Sequence, residues 1–189
     1  MPHGLTTPAR RRFLGHGIRL AFLGFSRRLW AQRRRLRFLS LSRPVIVPLA
    51  TLETPGRARR FVAQGVSPES AANPNQPVRV NGMVVRVAGG DGSLDRDQFK
   101  AVCAVCPHEQ CEVDFVADPS QLDPLVVAEI GRVDDPVYLC PCHNSVFSMD
   151  EGQRLGGPAP RGLYRFRVTD VTDSAVVIGE VEEDVLLFF

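Results

Sequence analysis

Alternation of apolar and polar residues is clearest towards the C-terminal end of the chain. In residues 164–169, Tyr, Phe and Val alternate with two Arg and one Thr, which predicts a half-buried strand. Residues 175–178 are its expected hairpin partner. Two further apolar runs, residues 99–105 and 137–139, each predict a strand that leads directly into a segment containing cysteines. The second half of the chain is therefore expected to be built from short antiparallel strands.

The same reasoning predicts strands in the first half of the body. Residues 45–49 are a short β-branched run, and residues 52–64 are expected to form a second strand after a turn near Pro55-Gly56. Residues 68–77 are polar and rich in proline, and residues 89–92 are mostly glycine. Both of these segments are predicted to be loops or turns.

Asn81-Gly82, between two β-branched runs, is a strong signal for a tight hairpin turn, because both residues tolerate positive φ angles. Sixteen glycines and fifteen prolines are scattered along the chain and favour many turns over long helices. The predicted fold is mostly β, a small antiparallel sandwich or barrel.

Charge divides the chain into two pieces at about Arg43-Pro44. Residues 1–43 contain eleven arginines and no acidic residue, whereas residues 44–189 hold all 21 acidic residues and only 12 basic ones. We interpret residues 1–43 as a basic N-terminal arm and residues 44–189 as a separate acidic globular domain. An acidic body gives no reason to expect a nucleic-acid partner.

The arm carries apolar residues at helical spacing, with most of its arginines on the opposite side. Residues 10–39 are therefore expected to form a basic amphipathic helix that lies on an anionic membrane surface or docks on a partner protein. No stretch reaches the ~18 apolar residues of a membrane-spanning helix. Residues 10–14, Arg-Arg-Arg-Phe-Leu, also resemble a twin-arginine export signal, although the usual uncharged apolar continuation is missing.

Two short loops carry the chemistry of the domain. The first is Cys-Pro-His-Glu-Gln-Cys at 106–111, and the second is Cys-Pro-Cys-His-Asn-Ser at 140–145. Each loop follows a predicted strand and contains one histidine and two cysteines. Thiolate and imidazole are ligands for zinc and for iron–sulfur clusters, so a metal centre is expected where the loops meet.

Zinc is the simpler alternative for these ligands. A Cys₂His₂ set or a ribbon made of Cys103, Cys106, Cys140 and Cys142 could bind it, in a binding module without redox activity. However, Cys-x-His is too tight for usual zinc spacing, and each zinc set leaves several of these residues without a role. Cys103 itself is expected to be a small buried residue of its strand.

The two motifs resemble those of the Rieske proteins of quinol-oxidising cytochrome bc-type complexes, and the likeness covers about residues 45–180. It implies a [2Fe–2S] cluster in a cluster-binding subdomain, with two thiolates on one iron and two imidazoles on the other. The implied ligands are Cys106, His108, Cys140 and His143.

The resemblance assigns further residues around the cluster. Cys111 and Cys142, at matched places in the two loops, would form a disulfide that ties the loops together. Ser145 would donate a hydrogen bond to a bridging sulfide. Phe147 stands where many family members have a tyrosine that donates to a cysteine sulfur. The loop that shields the cluster would consist of Gly157, Pro158, Ala159 and Pro160.

Several residues depart from the pattern of the family. Gln110 and Asn144 stand where glycine is usual, and Glu109 stands where an apolar residue often contacts the quinone. Residues 112–136, between the loops, match no pattern that indicates a structure.

The resemblance implies a one-electron carrier that passes electrons from quinol to a c-type cytochrome, next to a cytochrome b-type subunit. Such a protein is a subunit of an oxidoreductase and is not catalytic alone. It would be membrane-associated, with the cluster domain on the periplasmic or another non-cytoplasmic side, where a disulfide persists. The alternative within the same chemistry is the small Rieske subunit of a molybdenum oxidoreductase such as an arsenite oxidase.

Overall fold

The computed structural model describes residues 36–66, 77–87 and 94–187. Most of the predicted arm, the loop at 68–76 and the turn at 89–92 lie outside the described residues. The described strands are β1 (Phe38–Pro48), β2 (Ala58–Val66), β3 (Pro77–Arg86), β4 (Phe99–Cys103), β5 (Asp114–Val116), β6 (Val137–Cys140), β7 (Ser145–Ser148), β8 (Arg154–Gly156), β9 (Arg165–Val171) and β10 (Ala175–Glu182).

Six antiparallel strands close into a barrel in the order β1-β10-β9-β4-β3-β2. Successive residues of a strand point to opposite faces, so every second residue of each strand enters the barrel. Val80 and Val84 of β3 meet Val176 and Ile178 of β10 in the interior, where all four are fully buried. The expected β architecture and the β9–β10 hairpin are confirmed.

The predicted turn at Asn81-Gly82 is wrong, because β3 runs through both residues without interruption and pairs along its length with β2. Gly82 lies opposite Phe61, and a Cβ on Gly82 would come within 2.3 Å of the Phe61 ring. Only a residue without a Cβ leaves room for the Phe61 ring to pack on the backbone at this position. That requirement comes from the neighbouring strand and is invisible in the local sequence.

The first strand of the barrel crosses the boundary that the charge pattern suggested. β1 begins at Phe38, which pairs with Glu182 of β10, so residues 38–43 are part of the barrel sheet. The register of β1 against β10 shifts between Ser40 and Val45. The change in charge near Arg43 therefore falls inside a strand.

A second, four-stranded sheet with the order β5-β6-β7-β8 is inserted between β4 and β9 of the barrel. The segment 112–136 supplies β5 and a short helix, α1 (Pro124–Ile130), whose first turn is capped by Asp123. Val126 of α1 packs with Val137 and Val146 on one face of this sheet. Within the described residues, no helix is long and apolar enough to cross a membrane.

Candidate metal centre

The two cysteine loops have the same backbone construction. The amide of Gln110 donates to the carbonyl of Cys106 at 3.0 Å, and the amide of Asn144 donates to the carbonyl of Cys140 at 3.0 Å. Gln110 and Asn144 both have a φ of 58°, in the left-handed region. These are the two positions where the resemblance leads one to expect glycine, since such a turn needs a positive φ at its fifth residue. Each loop thus turns its cysteine and histidine towards the same place.

Cys106 and Cys140 lie side by side beneath the loops. Both are buried, with exposed fractions of 0% and 2%, and their thiols contact each other. Burial raises the pKa of Cys106, and the neighbouring Cys140 thiol raises it further, whereas backbone amides of His108 and Glu109 donate to the sulfur and favour the thiolate. Two thiolates in this position would repel each other in the absence of a cation, and a bound iron would supply the missing positive charge.

The two histidines, one from each loop, lie side by side. Their ring centroids are 4.8 Å apart, with the rings nearly perpendicular. His143 is exposed and His108 is only partly so. Nδ1 of His108 is buried and has no hydrogen-bond partner within the described part of the chain. A buried imidazole nitrogen without a partner is costly, and metal coordination would satisfy it.

Glu109 is the charged neighbour of the histidines. Its Oε2 lies 3.8 Å from Nε2 of His143, on the exposed side of the pair. The side-chain donor atoms of His108, Glu109 and His143 all lie within 4.8 Å of one another. A carboxylate therefore stands at the outer surface of the site, beside the nitrogen that faces solvent.

The predicted disulfide between Cys111 and Cys142 is confirmed. It joins the two loops across a sequence separation of 31 residues, with the Cα atoms 6.5 Å apart. Cys103 is buried in the barrel core, where burial raises the pKa of its thiol to about 12. A zinc ribbon of the kind considered above is therefore excluded, because Cys142 is oxidised and Cys103 lies away from the loops.

A third loop, residues 157–160, covers the site from the side of β7. The amide of Ala159 donates to Oγ of Ser145 at 3.1 Å, and both residues are fully buried. Because the oxygen is the acceptor in this hydrogen bond, the hydroxyl hydrogen of Ser145 remains available for donation to another acceptor. Ala159 packs in the same apolar cluster as Cys106 and Cys140. The third loop thus closes the site and orients Ser145.

Phe147 lies two residues beyond Ser145 and is fully buried in that cluster. It pairs with Tyr138 across β6 and β7. Its ring has no hydrogen-bond donor, so on this strand only Ser145 offers a side-chain donor next to the buried cysteines.

Sequence reasoning missed two residues that hold the third loop. Oε1 of Glu129, in the last turn of α1, accepts a hydrogen bond from the amide of Gly157 at 2.8 Å. Nη1 of Arg154 donates to the carbonyl of the same glycine at 2.7 Å. No local pattern could have indicated the first contact, since it joins residues 28 positions apart.

The family model described as "Rieske [2Fe-2S] domain" matches residues 64–168, more than half of the chain. A curated relative, the cytochrome b6-f complex iron-sulfur subunit of Gloeobacter violaceus, is 30% identical over 121 residues. That match covers 61% of this chain and 55% of the relative, so the chain spans about half the length of the protein it matches.

One solved structure, the soluble domain of the Rieske protein II (soxF) from Sulfolobus acidocaldarius, is 20% identical, with a TM-score of 0.34. The alignment covers 53% of this chain and 61% of that one.

Proposed function

Because this chain belongs to the Rieske [2Fe-2S] domain family and binds a 2Fe-2S cluster, we propose that Cys106 and Cys140 hold one iron through their thiolates. His108 and His143 hold the other iron through imidazole nitrogens. The observation that carries this assignment is the buried, unpartnered Nδ1 of His108, whose backbone amide donates to one of two buried, contacting thiols. These donors match the ligand preference of a Rieske centre.

Substitution of single ligands tests this set. His143→Ala and Cys106→Ser should each give protein without a Rieske EPR signal, because a cluster bound by four side chains does not survive the loss of one. Cys103→Ala is the matched control, since it removes a buried thiol that is not a ligand and should leave two irons per chain. A Rieske signal in either ligand variant would remove that residue from the set.

The domain transfers electrons, since the cluster, when bound, accepts and returns one electron at a time. The chain's own residues hold it. Ala159 is fully buried in the cluster of the two cysteines, whereas the imidazole of His143 is exposed and can face a partner. Electrons therefore enter and leave at the histidine side.

We infer that the donor is a quinol and the acceptor a c-type cytochrome within a cytochrome bc-type complex. Two features support this. The relative named above is a cytochrome b6-f subunit, and Nε2 of His143 is on the exposed side, where it can bind a quinol hydroxyl and take its proton. A disulfide persists in oxidising compartments, which supports a non-cytoplasmic position for the domain.

A second candidate is the small subunit of a molybdenum oxidoreductase such as an arsenite oxidase. Phe147 favours it, because small subunits of that class often lack the tyrosine expected at this position. The sequence of the third loop, Gly-Pro-Ala-Pro, favours the quinol-oxidising complex.

Purification of the tagged chain from membranes of its source decides between the two. In a bc-type complex, b-type haem should copurify with quinol-dependent reduction of cytochrome c. In the alternative complex, molybdenum should copurify instead. A preparation that contains neither haem nor molybdenum would contradict both assignments.

The expected helix over residues 10–39 is wrong at its end, because Phe38 and Leu39 belong to β1 of the barrel. Membrane attachment is proposed for the residues before β1, most of which lie outside the described residues. The reasons are the eleven arginines in residues 1–43 and the absence of acidic residues there. Each basic residue near an anionic surface contributes about 1 kcal/mol. Sedimentation with anionic liposomes should show salt-sensitive binding, which neutral liposomes should not reproduce. Equal binding to both kinds of liposome would contradict the proposal.

A further inference from the structure

Gly157, the first residue of the third loop, has both its amide and its carbonyl bound by charged side chains. Glu129 of α1 accepts from its amide, and Arg154 of β8 donates to its carbonyl, at 2.8 and 2.7 Å. Gly157 also has a positive φ of 84°. The start of the loop is thus fixed by two elements that carry none of the proposed iron ligands.

The loop lies directly on the backbone of Ser145. A Cβ on Gly157 would come within 2.4 Å of the Ser145 Cα and within 2.8 Å of its nitrogen. Two residues further on, the amide of Ala159 holds the Ser145 hydroxyl oxygen. A displacement of Gly157 would therefore move the donor that orients this hydroxyl.

The end of α1 is itself held in place against the loop. A Cβ on Gly156, the last residue of β8, would come within 2.4 Å of Cγ2 of Ile130, so the helix end is in close contact with the residue just before the loop. Val126, one turn earlier, is buried against the second sheet. The helix therefore presents the Glu129 carboxylate to the loop from a fixed position.

We propose that Glu129 is a positioning residue that orients the Ser145 hydroxyl through Gly157 and Ala159 and thereby raises the midpoint potential of the centre. A hydrogen bond from Ser145 to a cluster sulfur stabilises the more negative, reduced state, and its strength depends on the orientation of the hydroxyl. The inference rests on the proposed ligand set, which places the sulfurs next to Ser145.

The test compares Glu129→Ala with Glu129→Gln in the holoprotein, by redox titration followed by EPR. Both variants remove the negative charge, so its direct effect on the potential cancels in the comparison. Only glutamine retains an oxygen that can accept from the Gly157 amide. The midpoint potential of Glu129→Ala should lie below that of Glu129→Gln.

The same pair of variants is then made in a Ser145→Ala background, where the difference between alanine and glutamine should disappear. Asp135→Ala is the control, because it removes another exposed acid from the same segment. Its midpoint potential should stay close to that of the unsubstituted protein. If Glu129→Ala does not retain the cluster, Glu129→Asp replaces it. Aspartate keeps the negative charge, but its side chain is one methylene shorter and its carboxylate does not reach the Gly157 amide. This variant should therefore have a lower midpoint potential than the unsubstituted protein.

Equal potentials for Glu129→Ala and Glu129→Gln would overturn the proposal, and so would a difference that persists without the Ser145 hydroxyl. Failure of the ligand assignment has another signature. In that case a ligand variant such as His143→Ala would retain the Rieske signal, whatever the Glu129 variants do.

Discussion

A buried ion pair ties the end of the third loop to the barrel, and its removal should be far more costly than the loss of a surface pair. Arg161, directly after the loop, forms a salt bridge with Glu182 of β10, whose side chain is only 2% exposed. The carboxylate also accepts from the amide of Arg165 at 3.1 Å. The guanidinium of Arg161 lies 3.9 Å from the centre of the Tyr164 ring.

Arg161→Ala removes the nearer of the two cations that face Glu182 and leaves the carboxylate buried. Removal of one partner of a buried pair costs about 3–5 kcal/mol, because the remaining charge is left without compensation. In the Arg161→Ala variant Glu182 keeps two contacts with Arg165, which are the amide at 3.1 Å and Nε at 3.9 Å. We therefore expect a value near the lower limit, about 3 kcal/mol. Glu182→Ala should cost less, about 2 kcal/mol, because Arg161 is one-third exposed and water can solvate it. The double variant should cost less than the sum of the two.

Urea unfolding of the oxidised protein, followed by circular dichroism and by visible absorption, measures these changes. Arg167→Ala is the matched control. It breaks a pair with Glu180 whose side chains are 53% and 30% exposed, and it should cost less than about 1 kcal/mol. If Arg161→Ala costs no more than Arg167→Ala, or if the double variant is fully additive, the reasoning from burial is refuted.

Three further predictions concern the loops. Replacement of Cys111 and Cys142 by serine should lower the free energy of unfolding by roughly 3–4 kcal/mol in the chain-entropy estimate for a loop of about 30 residues, and urea unfolding without reductant measures it. Gln110→Gly should raise the free energy of unfolding by about 0.5–1 kcal/mol, because the native φ is positive; a decrease would mean that the side chain contributes more than the backbone strain costs. Phe147→Tyr should raise the midpoint potential by roughly 40–90 mV if the new hydroxyl donates a hydrogen bond worth about 1–2 kcal/mol to a cysteine sulfur. An unchanged potential with an intact cluster would show that this ring does not face a sulfur.

The sequence by itself indicated the chemistry of the centre, because that chemistry is local. Each loop carries a cysteine and a histidine within four residues, and a second cysteine within six. Their disulfide followed from the resemblance and is present. The alternation in residues 164–168 likewise predicted a half-buried strand, since a period of two is a property of consecutive residues. Ser145 was named from its motif, and the structure places it under the third loop.

Tertiary structure decided what depends on residues far apart in the chain. Asn81-Gly82 has the local preference of a turn, yet the space that Phe61 requires places Gly82 in the middle of a strand. Residues 112–136 had no readable pattern, and their helix matters because Glu129 reaches a peptide group 28 positions away. A local pattern records the preferences of neighbouring residues. It cannot record which distant backbone atom a side chain will meet, because that is settled only when the sheets and the helix pack together.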